Sequence, residues 1–162
     1  MTAKLKLPTA DAIAHLLGSL FDKRIAVTKS AAPLASAAYR GVCDYVDAEQ
    51  KTLFVCVCDL PALGSLGAAL AMIPPAVVAE SVRAGKPSDA LRENAYEVFN
   101  IAASVFNDIE GAEHHVKLRE LLVAPPLPPA ALAKIAKPVS RLDFDVTVPG
   151  YPVGKVSVLA LA

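Results

Sequence analysis

The sequence predicts an α+β domain, a mostly antiparallel sheet covered by long helices. Three observations carry this. Strand-like runs cluster instead of alternating one by one with helices, which separates an α+β chain from a doubly wound one. Two turn segments, Asp47-Ala48-Glu49-Gln50 and Pro149-Gly150-Tyr151-Pro152, join neighbouring runs as hairpins. Between the two clusters of strands lie long stretches with helical spacing of apolar residues.

Thr9 is the expected N-cap of a first helix, with Asp11 in its first turn. Ile13, Leu16, Leu17, Leu20 and Phe21 recur at helical spacing, so the helix covers 9–22. Strands are expected over 24–29, 36–47 and 51–59. Leu60 to Gly85 reads as helix that Pro74 and Pro75 must break and restart, since proline lacks a donor and clashes with the preceding turn. Gly85 suits the C′ position, and Gly64 and Gly67 read as points of close packing. Ser88 or Asp89 caps the next helix, which runs to about Ile109. A strand over 115–123, a proline-rich turn at 125–129, a short helix over 129–136 and strands over 139–148 and 153–161 complete the chain. That last pair, rich in Val, Leu and Phe, is expected at a sheet edge, where it would invite pairing with a second copy.

The 162 residues are expected to form a single domain, 1–162, since no linker or repeat is visible in them. An apolar fraction of 54% excludes a disordered chain. With 16 basic and 16 acidic side chains, nothing indicates nucleic-acid or membrane-surface binding. No window reaches the ~18 uninterrupted apolar residues of a membrane span. The start, Met1 to Leu20, is broken by Pro8, Asp11 and His15 and makes a poor signal peptide. Three cysteines, Cys43, Cys56 and Cys58, are an odd number and suit a reducing cytoplasm. Cys56 and Cys58 share one strand face, but no second pair or His completes a ligand set, so they read as small buried hydrophobes and no metal site is expected. His114 and His115 are adjacent and cannot share a face; a solvated junction before a strand accounts for them. Phosphate-loop, dinucleotide, zinc-protease and serine-elbow signatures are absent.

The informative segment is 88–109. Projected at about 100° per residue, Leu91, Ala95, Val98, Ala102, Val105, Phe106 and Ile109 form a core stripe. Glu93, Glu97, Asn100 and Ser104 fall on the far side. Glu97 and Asn100 are i and i+3, so their side chains are neighbours. Glutamate on a polar helix face is ordinary, whereas a mid-helix exposed Asn costs a few tenths of a kcal/mol against Ala. Its amide donates and accepts at once, so it can orient a water without titrating.

Glu97-Val98-Phe99-Asn100, followed by the small residues Ala103 and Ser104, resembles the ExxN signature of the CheC/CheX family of response-regulator phosphatases. The likeness extends to the order of strands and helices over most of the chain and is specific over about 93–107. Glu93 stands where that family usually carries Asp or Ser, and Ala103 and Ser104 stand where it often carries Gly. A single motif helix resembles the CheX type, whose members form dimers.

The resemblance implies a phosphatase that accelerates loss of the phosphoryl group from a phosphoaspartate on a CheY-like receiver domain. It implies that Glu97 docks the partner by pairing with a lysine and that Asn100 holds the attacking water. Glu93 and Ser104 are expected to contact the partner. No cofactor is expected on this chain; Mg2+ would belong to the receiver. The alternative is a non-catalytic CheC/CheX-like binding module using the same helix face. A small-molecule binder in the Ala-rich helical layer lacks converging polar groups.

Overall fold

A computed structural model describes residues 4–124 and 127–161. Among them, strands β1 (Ala26–Lys29), β2 (Gly41–Val46), β3 (Thr52–Cys58), β4 (Lys117–Val123), β5 (Ser140–Thr147) and β6 (Gly154–Ala160) form one sheet in the order β1-β5-β6-β3-β2-β4. Every pairing is antiparallel. The helices are α1 (Ala10–Phe21), α2 (Leu60–Ala71), α3 (Pro75–Ala84), α4 (Asp89–Ile101), α5 (Ala103–Asn107) and α6 (Pro129–Ile135). This is the α+β arrangement that the clustering of strands predicts.

The local signals act as expected. The Thr9 hydroxyl accepts from the Ala12 amide and the Ser88 hydroxyl from the Leu91 amide. Pro74 and Pro75 separate α2 from α3, and Gly85 ends α3 in the left-handed region. Cys56 and Cys58 face the helices together, with Cys43, Tyr45 and Phe54. Opposite them, Val42, Val55, Val57 and Leu159 meet Leu34, Tyr39 and Ile135. The inner strand β3 is therefore covered on both faces, which is why it reads as an almost unbroken apolar run.

Three expectations need correction. The terminal hairpin is not at an edge: β5 and β6 lie inside the sheet, joined to the β2–β3 hairpin through β3 and β6. The edges are β1 and β4. Burial on both faces, not exposure, explains the apolar character of β6. The strand expected over 36–47 begins only at Gly41; Ser36–Ala38 is a 3-10 turn whose Ala37 carbonyl accepts from Arg40, tucking Tyr39 onto the sheet. The helix expected to Ile109 is interrupted at Ala102, and the Val105 amide reaches back only three residues to the Ala102 carbonyl. Beyond the break Ala103 is buried while Val105 and Ile109 are half-buried, as is Ala102 itself; Phe99, before it, is buried at the side of the stripe. Finally, Pro125 and Pro126 of the proline-rich turn lie outside the described residues.

The helix α2 presses α4 from behind. A methyl group on Gly67 would collide with the Leu91 carbonyl, and one on Gly64 would come within 2.9 Å of Val78. Both glycines thus permit close approach, as their setting predicts.

Candidate functional site

The helix α4 is held to the core by Leu91, Ala95, Val98 and Phe99, all buried. Glu93, Glu97 and Asn100 are exposed on its opposite side. Glu97 and Asn100 stand one turn apart. Among the described residues neither side chain makes a hydrogen bond or ion pair, so both are free to meet a partner.

The C-terminal turn of α4 is anchored carbonyl by carbonyl. The last four carbonyls of a helix have no partner within it. Here the Ala102 amide serves Val98 and Asn100. The Tyr45 hydroxyl donates to the Phe99 carbonyl at 2.7 Å, and the Ser104 hydroxyl to that of Ile101 at 3.1 Å. Ser104 is thus half-buried and engaged with the backbone, not standing free beside Asn100. Just beyond, the Asn107 amide group clamps both backbone atoms of Val116, at 2.9 and 2.8 Å.

Two features of α4 and its surroundings were not legible in the sequence. Tyr96 and Ile101 are 37% and 40% exposed and flank the Glu97–Asn100 pair with apolar surface. Their only sequence signal was an apolar side chain outside the core stripe. Tyr45 carries no local signal, since it lies 54 residues from Phe99 in the chain.

The three thiols are buried; burial pushes Cys56 up to about 12 and Cys43 and Cys58 well above the ordinary thiol value. Such thiols are inert hydrophobes. Among the described residues no group of three or more His, Cys, Asp or Glu is placed to hold a metal ion. His115 is exposed as expected, but His114 turns inward, its ring edge-on to Phe54 and a ring nitrogen 2.9 Å from the Phe106 carbonyl. An apolar cavity of about 50 Å³ lies between α1, α4 and the sheet, lined by Leu16, Phe99 and Val158 among others. It is too small for an organic ligand.

The six-stranded antiparallel sheet with α2 and α4 layered on one face is the CheC/CheX-like fold, shared with the FliM middle domain from H. pylori. CheX in the CheX–CheY–BeF3–Mg2+ complex from Borrelia burgdorferi superposes with a TM-score of 0.56 at 12% identity, covering 94% of each chain. FliM of the H. pylori FliM–SpeE complex gives 0.63 at 6% identity over 94% of this chain and 81% of that one. Thermotoga maritima FliY gives 0.61 at 13% identity over 93% and 83%. At these identities the likeness is one of fold. No family model and no curated protein matches the sequence.

Proposed function

We propose that this protein docks on a CheY-like receiver domain through the exposed face of α4 and accelerates hydrolysis of its phosphoaspartate. The observation that carries the proposal is the placement of Glu97 and Asn100, one turn apart and unengaged, on a helix whose reverse side is locked into the core. Glu97 pairs with a lysine of the receiver. Asn100 enters the phosphorylated site and holds a water in line with phosphorus. The water oxygen bonds to phosphorus as the bond from phosphorus to the aspartyl oxygen breaks, and the water proton passes to the departing phosphate. Such transfer depends on positioning and electrostatics, so an amide suffices and no strong base is required. The Mg2+ that offsets the charge belongs to the receiver. Glu93, exposed one turn before Glu97, widens the acidic side of the docking face, and Ser104 borders it.

Tyr96 and Ile101 favour a second reading, a non-catalytic binding module, because apolar surface beside a charged group suits docking without chemistry. Phosphate release from a phosphorylated receiver, with and without this protein, separates the two. Acceleration supports the phosphatase. Binding of a receiver without acceleration decides for the module.

Action in the cytoplasm, where receivers are phosphorylated, and assembly as a homodimer belong to the same proposal. With the terminal hairpin internal, the strands open to a second copy are β1 and β4. Light scattering at tens of micromolar, a range where weak dimers would show, should report twice the monomer mass; a clean monomer removes the dimer.

A further inference from the structure

We propose that Tyr45 is a positioning residue for Asn100, acting through the peptide group that Asn100 shares with Phe99; the inference rests on the phosphatase reading of α4. The Tyr45 hydroxyl donates to the Phe99 carbonyl at 2.7 Å. That carbonyl and the Asn100 amide nitrogen belong to one planar peptide unit, so holding the oxygen fixes the plane from which the Asn100 side chain departs.

Three features make this hold rigid. Tyr45 is fully buried, and its ring packs against Phe106, 4.8 Å between centroids, with Phe106 stacked on Phe54 at 4.4 Å. Its strand changes register on both sides here, between Tyr45 and Val46 toward β3 and between Asp44 and Tyr45 toward β4. Such irregularities re-aim a side chain, and this one is aimed at the end of α4. The helix also breaks at Ala102, two residues past Asn100, so the last turn cannot rely on a continuing helix for its orientation. The Tyr45 hydroxyl therefore links β2, the strand beside the edge strand β4, to the peptide unit of the residue that holds the water.

Tyr45→Phe removes the donor and keeps the ring. Single-turnover dephosphorylation of a receiver should slow roughly tenfold, since small misplacement of a reacting group is costly, while the Kd for the receiver, set by Glu97, stays within twofold of the wild-type value. Ile135→Ala, on the opposite face of the sheet, serves as the control for a general loss of stability. The inference is overturned if Tyr45→Phe leaves the rate unchanged, or if Ile135→Ala slows it as much. A wild-type protein with no phosphatase activity instead removes the parent reading, and the positioning of a catalytic Asn100 with it. NMR gives an independent readout: in Tyr45→Phe the Phe99 carbonyl and Asn100 side-chain amide resonances should shift or broaden. Unchanged resonances overturn the inference whatever the activity.

Discussion

Asn100 and Glu97 divide the proposed work between them, and their variants should separate it. Asn100→Ala should lower receiver dephosphorylation about 10²-fold, the loss expected for one preorganised hydrogen-bonding group, or roughly 3 kcal/mol. Affinity should change little, because a water-positioning amide contributes mainly in the transition state. Glu97→Ala should instead weaken docking, read as a higher Kd for the receiver with the rate at saturation largely kept. Both side chains are exposed and unpaired among the described residues, so neither change should cost more than about 0.5 kcal/mol of fold stability. A denaturant titration checks this, and an unfolded Asn100→Ala protein would show Asn100 to be structural. Both exposed positions were legible in the sequence, because exposure on a helix follows from periodicity. Ser104 shows the limit of that argument: its place on the projection is right, but the break at Ala102 draws its hydroxyl onto the Ile101 carbonyl.

At the scale of elements, α4 owes its placement to α2. Gly67 lies against the Leu91 carbonyl and the Ala95 amide, so a methyl group there meets backbone that cannot rotate away. Gly67→Ala should therefore lower stability by about 1–3 kcal/mol, the usual cost of overpacking, despite alanine being the better helix former. Urea unfolding measures this. An unchanged midpoint would mean that α2 and α4 separate freely. The same variant should weaken receiver docking, since α4 shifts as a unit. The caps of α1, α3 and α4 were readable from Thr9, Gly85 and Ser88, because a cap is a short-range interaction. The break at Ala102 was not, because alanine favours continuation of a helix. What accompanies it comes from elsewhere in the chain: the Tyr45 hydroxyl on the Phe99 carbonyl and the Asn107–Val116 clamp.

Across the whole molecule, charge on the face away from α4 ties the chain together. Asp44 is buried and pairs with Arg119 and Lys134, joining β2 to the edge strand β4 and to α6. Asp143 accepts from Arg141 and Ser157, and Arg141 also reaches the Leu34 carbonyl and the Tyr39 hydroxyl. Burial by itself would raise the Asp143 carboxyl, but the hydrogen bonds from Arg141 and Ser157 outweigh it and hold it below its usual value. A carboxyl lowered on folding adds stability that is complete above its unfolded value, near 3.9, and is lost as pH falls through the lower folded value. The protein should accordingly lose stability in acid below about pH 4. Asp143→Asn should be less stable at neutral pH and show a shallower acid limb. Thermal melts of both proteins from pH 7 to pH 2.5, a range spanning both carboxyl values, check this; parallel curves would assign the acid lability to other carboxylates.

The class of fold, the caps, the proline break and the exposed Glu97–Asn100 pair were determined by the sequence alone, since each follows from spacing or from contacts within a few residues. Strand order was decided only by the tertiary structure. An apolar hairpin reads the same whether it closes an edge or fills a sheet, and β5–β6 turned out to be internal because both of its flanks found partners in β1 and β3. The support beneath Asn100 was likewise settled in three dimensions. The Tyr45 hydroxyl and the Phe99 carbonyl are 54 residues apart, and no local pattern encodes a hydrogen bond that exists only once the sheet has placed α4 above it.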